Sequence, residues 1–189
     1  MAANGARVQG TDGTDFQHRQ RIAAHYQEIV QYKTTLKMFF ALHLFALLFM
    51  WGKVGSEVLR NDFGVQHPLL NFLRMPAAYP WEYVWCFSFI PILIALKSFP
   101  KNNVKLVNYH YYGQFFCGIV PCMIGLGAQV PELFDYISDM ENSETPTFQG
   151  VFPMVIIWYI FFAIAIQIHC FSMYFSYHLA AAMAPPKRD

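Results

Sequence analysis

Charge is what this sequence has least of. Only 13% of its 189 residues are Asp, Glu, Lys or Arg, about half the ~25% of an ordinary soluble domain. Disorder is excluded, because it needs low hydrophobicity and high net charge; this chain is 56% hydrophobic with a net charge of +1. The same balance, with no dense basic run, excludes a nucleic-acid partner. Cysteine is scarce too. Cys86, Cys117, Cys122 and Cys170 all stand in apolar stretches and make no C-x-x-C pair. They read as small buried apolar residues, not as a disulfide framework. There is no N-x-[ST] sequon: Asn142-Ser143-Glu144 fails at its third position. G-x-S-x-G, P-loop and H-E-x-x-H motifs are all missing, so no sequence motif points to an enzyme or a cofactor. No signal peptide opens the chain, and the first span is expected to act as the signal anchor.

What the sequence has in abundance is apolar run. Mean hydropathy is +0.28 and 18% of residues are aromatic, which indicates an integral membrane protein with several spans. The expected fold is all-α: a four-helix transmembrane bundle preceded by a cytosolic N-terminal amphipathic helix. Residues 1–14 read as disordered and 15–37 as the amphipathic helix. Thr14 and Gln17 make a capping box, and Ile22, Tyr26, Ile29 and Leu36 share one helical face. With Arg19, Arg21, Lys33 and Lys37 beside it, that helix either lies on the membrane surface or packs on its own neighbours.

The first span is expected over 38–57, with Lys53 snorkelling to the headgroups. A lumenal loop follows at 58–82, with an apolar patch from Leu69 to Leu73. The second span, 83–99, is short: its charge-free part, Tyr83 to Leu96, covers ~21 Å. Pro91 is expected to kink it, and a re-entrant hairpin is the competing reading. A cytosolic basic loop, 100–105, leads to the third span, 106–130. That span carries Pro121 and four glycines, Gly113, Gly118, Gly125 and Gly127, which permit close helix packing. An acidic lumenal loop, 131–150, precedes the fourth span, 151–177, and a cytosolic tail, 178–189. No charged residue occurs between Glu144 and Lys187.

Basic residues orient the chain. The N-terminal segment, the 100–105 region with Lys97, and the tail hold ten of the thirteen Lys and Arg. The acidic loop holds none, but carries Glu132, Asp135, Asp139, Glu141 and Glu144. The positive-inside rule therefore places both termini in the cytosol. Lys187 near the end makes a partial dilysine retrieval signal, or is simply positive-inside charge.

Polar residues inside a membrane are functional candidates by default. His43, His110 and His169 fall ~9, ~7.5 and ~12 Å from the cytosolic edge, and Asn108, Gln114 and Gln167 share that leaflet. Three readings stay open for this set. It holds interhelical hydrogen bonds, it contacts a lipid headgroup or peptide, or it binds a metal.

Four strings carry a resemblance. They are Gly10 to Arg19 (GTDGTDFQHR) followed by His25-Tyr26-Gln27, then Trp81-Glu82-Tyr83, Ser98-Phe99-Pro100-Lys101-Asn102-Asn103, and Gln167-Ile168-His169. In order and spacing, over nearly the whole chain, the sequence resembles the jagunal family of endoplasmic-reticulum membrane proteins. The resemblance implies four spans, cytosolic termini, no catalysis, and a role in endoplasmic-reticulum organisation and vesicle-mediated transport (exocytosis) in the early secretory pathway. It gives weight to a cytosolic docking surface at Asp12, Asp15, Phe16, His18, Arg19 and Arg21, with Lys101, Asn102, Asn103 and Lys105 in the basic loop. The implied partners are the lipid bilayer and vesicle-coat or cargo proteins on the cytosolic side. The alternative function is a lipid- or small-molecule-handling protein that uses the intramembrane histidines.

Overall fold

Between Thr14 and Trp51 the chain has neither proline nor glycine, so nothing there stops a helix. The computed structural model describes residues 14–68, 76–148 and 150–184, with side chains from residue 19 onward. Helix α1 runs unbroken over Thr14–Asn61. Its 48 residues extend ~72 Å, more than twice a ~30 Å hydrocarbon core. The expected separate helix at 15–37 and span at 38–57 are thus one element, because charges at Lys33 and Lys37 do not interrupt a backbone. Ile29, Leu36 and Phe40 are buried against Phe99, Val107, Leu179 and Ala180. Ile22 and Tyr26, read as part of the same face, are 44% and 59% exposed. The expected Thr14–Gln17 cap, Leu69–Leu73 interfacial patch, N-terminal disorder and Lys187 signal all fall outside the described residues.

The second span starts earlier than expected. Helix α2 covers Pro80–Trp85 and helix α3 Phe89–Ser98. Proline at the first position, with Glu82 reaching back to the Tyr79 amide, begins α2. Proline also breaks the span, though three residues before Pro91 itself. The Phe87 carbonyl would have bonded the missing N–H of residue 91. Ile90 N–H takes that carbonyl instead, at 3.1 Å, and the chain turns at Cys86–Ser88. A 3-10 turn, Phe99–Lys101, then closes the end, and Asn102 adopts the left-handed conformation at φ 50°.

Helix α4 (Val104–Gln114) opens with Asn103 accepting from the Leu106 amide. It widens into a π-helical turn at Phe115–Ile119 and continues as α5, Val120–Ala128. Pro121 lies just beyond the wide turn, where its absent N–H removes one bond from the α ladder. The expected acidic loop is corrected in part: Val130–Ser138 forms helix α6. Pro131 in its first turn and Glu132 beside it are ordinary start signals. A short hairpin pairs β1 (Thr147–Phe148) with β2 (Phe152–Pro153). Helix α7 covers Met154–Met183, past the expected end at 177, because no proline or glycine occurs before Pro185.

Four stretches are long and apolar enough to cross a membrane: Arg19–Asn61, Pro80–Lys101, Val104–Ser138 and Met154–Met183. They bury two apolar clusters. Leu47, Met50, Trp81, Trp85, Cys122, Trp158 and Phe162 form one; Leu36, Phe40, Ile92, Phe99, Val107 and Leu179 belong to the other. Between the two lie buried polar residues from every span: His43, Ser88, His110, Gln114, His169, Ser172 and Ser176.

Close approach depends on specific glycines. A Cβ at Gly125 would stand 2.7 Å from Phe162 and 2.8 Å from Trp81, whereas one at Gly127 would meet nothing within 4 Å. Gly125→Ala is expected to destabilise the bundle by about 1–3 kcal/mol through overpacking. Gly127→Ala is expected to be neutral or to stabilise by up to about 1 kcal/mol through helix propensity. Thermal unfolding of the two purified variants in one detergent checks the pair; equal losses would mean that Gly125 is not a contact point.

Candidate functional site

Each span brings its polar side chains to the level between the apolar clusters. α1 supplies His43, the turn before α3 supplies Ser88, α4 supplies His110 and Gln114, and α7 supplies His169 and Ser172. All six are buried. The π-helical turn begins directly after Gln114, and Gly118 within it lies against the His169 ring, where a Cβ would overlap the imidazole. A wide turn and an absent side chain together let α7 bring an imidazole this close.

Hydrogen-bond partners assign the protons. Trp85 Nε1–H donates to His169 Nε2 at 3.1 Å. An indole can only donate, so that ring nitrogen carries no proton. His169 Nδ1–H then donates to Gln114 Oε1 at 2.5 Å. His110 Nδ1 faces the Pro91 carbonyl at 3.0 Å and must donate to it, leaving Nε2 to accept from Ser172 Oγ at 3.3 Å. Both rings are thereby held as neutral Nδ1–H tautomers. His43 Nε2 lies 2.8 Å from Ser88 Oγ, and its ring meets His169 edge to face at 4.6 Å between centroids. Among the described residues, no group of three or more His, Cys, Asp or Glu is placed to hold a metal.

Of the six intramembrane residues singled out from sequence, four meet here: His43, His110, Gln114 and His169. Asn108 and Gln167 do not. Both are exposed on the outer face of the bundle, because helical phase turns them away from the seam. Trp85, Ser88 and Ser172 are partners that hydropathy missed. Part of this was readable: Ser172 is three past His169, on one face of α7, whereas Ser88 comes from the turn that follows Trp85.

A second polar element was also missed. Lys53 does not snorkel. Its ammonium meets Glu82 Oε2 at 2.6 Å, with side chains 4% and 0% exposed, and stands 5.1 Å over the Trp158 ring. Nearby, Glu57 accepts from the Ala78 amide. Sequence treated Lys53 and Glu82 as flanking charges; folding brings them inside as a pair.

The basic end is assembled from two elements. Lys33 Nζ donates to the Phe99 carbonyl at 2.6 Å and to Asn102 Oδ1 at 2.5 Å. Lys101, Asn102, Asn103 and Lys105 are exposed around this contact. Arg19 and Arg21 are exposed as well, but stand at least ~18 Å further along α1, so the two halves of the expected docking surface are separate. Asp12 and the side chains of Asp15, Phe16 and His18 lie outside the described residues. At the other end Asp139 accepts from the Asn142 amide and side chain, which holds its carboxyl below the usual range.

Four membrane-capable helices, fastened by a buried ion pair and a neutral polar layer, define a multi-pass α-helical membrane protein. Residues 1–187 match the family described as "Jagunal, ER re-organisation during oogenesis", and the chain belongs to that family. It is 65% identical to the protein jagunal homolog of Caenorhabditis briggsae over the full length of both. It is 32% identical to the human protein jagunal homolog 1 over 173 residues, 91% of this chain and 88% of the human one. With the Drosophila melanogaster protein jagunal the identity is 31% over 184 residues, covering 94% and 92% of the two chains.

Proposed function

We propose that this protein is a non-enzymatic organiser of the endoplasmic-reticulum membrane that supports vesicle-mediated transport and exocytosis in the early secretory pathway. The observation that carries the reading is the family match over 187 residues, with its description as endoplasmic-reticulum re-organisation. Charge supports the orientation: the basic ends of the chain and the basic loop face the cytosol under the positive-inside rule. Burial supports the absence of turnover. His43, His110 and His169 are 2%, 0% and 0% exposed, and their hydrogen bonds are made with other side chains and one carbonyl. The alternative, lipid or small-molecule handling by these histidines, has that closure against it. Work is then left to the exposed cytosolic surfaces, Arg19 and Arg21 on α1 and Lys101 to Lys105 in the loop, which meet coat or cargo proteins or headgroups.

The test is release of a synchronised secretory cargo in cells that lack the protein. Cargo exit is expected to slow, and to recover with the wild-type chain. A chain with Arg19, Arg21, Lys101 and Lys105 changed to alanine, at matched level, is expected not to restore it. Normal exit without the protein would remove the transport role; full recovery with the variant would remove the docking surfaces.

A further inference from the structure

Beside the Lys53–Glu82 pair, α1, α7 and the hairpin border a half-open cavity of about 290 Å³. That is roughly twice the ~150 Å³ of an engineered apolar cavity that stays dry and holds benzene. Its floor is Met154 and Trp158, closed at one end by Lys53. All three are buried. Phe148 of β1 and the rim residues Phe49 and Ile157 also line it.

The mouth of the cavity tells what reaches it. Phe49 is 67% exposed, and Leu42, Phe45 and Leu48 beside it on α1 are also exposed. This stripe belongs to a stretch long and apolar enough to span a membrane, so the mouth opens onto hydrocarbon. Water gains little there: Lys53 is bonded to Glu82, and a water needs two or more polar partners. A gap left unfilled would forfeit dispersion contacts along its whole lining.

We propose that this groove is a binding site for one acyl chain of a bilayer phospholipid, held between α1 and α7 and roofed by the β1–β2 hairpin. A chain suits the space better than the alternatives. It is flexible and narrow, methionine adapts to it, and the bilayer supplies it at solvent concentration. A fused-ring sterol nucleus is bulkier and rigid. A second copy of the protein would need a stable interface of about 1,000 Å² or more, which a groove of this size does not provide.

Photolabelling tests the assignment on the full chain in nanodiscs of phosphatidylcholine, with a diazirine on the acyl chain of a minor phosphatidylcholine component. Mass spectrometry then maps the adducts. They are expected to concentrate on Phe49, Met154 and Ile157 over the simply exposed Leu42 and Leu48. Ile157→Trp, which fills the mouth, is expected to reduce the Met154 adduct severalfold and leave adducts on Phe116 and Ile124 unchanged. Phe148→Trp fills the same space from the hairpin and serves where the first variant does not fold; the wild-type map decides by itself where neither does. Even labelling along α1, a Met154 adduct unchanged by a folded filling variant, groove adducts from a diazirine sterol alone, or cross-links from the groove to a second copy would each overturn the proposal.

Discussion

Glu82→Ala is expected to cost about 3–5 kcal/mol of stability, the usual loss when one member of a buried ion pair is removed. The cost comes from what stays behind. Lys53 keeps an ammonium in a site where its side chain is 4% exposed, over an aromatic face that offsets only about 2 kcal/mol. The substitution also takes away the Glu82 Oε1 that accepts from the Tyr79 amide at the start of α2, another ~1 kcal/mol in an N-cap. Such a loss is a large part of the 5–15 kcal/mol that holds a typical domain, so the variant is expected to accumulate poorly. The companion double variant, Lys53→Met with Glu82→Leu, removes both charges and is expected to regain most of the loss. Thermal unfolding in detergent, with protein level in cells alongside, distinguishes them. If Glu82→Ala melts within a degree or two of wild type, the pair is not closed off as described.

His169→Leu is the second large change. It fills similar volume but leaves the Gln114 carbonyl oxygen without its partner and the Trp85 indole N–H with only the weak acceptor Cys122 beside it, at up to about 1–3 kcal/mol each. The sum, about 2–6 kcal/mol, is smaller where either group finds a neighbour. Trp85 and Gln114 are both fully buried, which leaves water no easy route to them. The control is His43→Leu, which orphans only Ser88 Oγ, a hydroxyl that can turn to a local backbone carbonyl. A larger loss at residue 169 than at 43 is expected in urea or thermal unfolding. Equal small losses would show that the polar layer contributes little, and would reopen the handling of a small molecule by these rings.

Much of this protein is written in simple patterns. Low charge and long apolar runs specify a membrane bundle, because hydrocarbon admits only helices or closed barrels. The number of spans follows from where charge interrupts those runs. Family membership rests on strings such as Ser98 to Asn103 that hydropathy does not require. Positions of proline foretold breaks, although Pro91 acts at Phe87, one turn earlier than its own place in the chain. Start signals at Pro131 and Glu132 were equally legible, and only the acidity of the segment concealed a helix there.

Other features depended on the third dimension. Lys53 and Glu82 lie 29 residues apart in sequence, and the local cost of each charge argued for placing both outside. Their mutual attraction becomes available only when α1 and α2 meet. Depth along the membrane identified His43, His110 and His169 as neighbours, because depth follows from counting residues along each helix. Whether a side chain faces the seam or the lipid depends on helix rotation, and that phase separates buried Gln114 from exposed Asn108 and Gln167. The sequence by itself determined the number of spans, which polar residues share one level of the bundle, and the family. Tertiary structure decided which polar groups pair, because hydrogen bonds and ion pairs act over a few ångströms between helices whose relative rotation no single segment encodes.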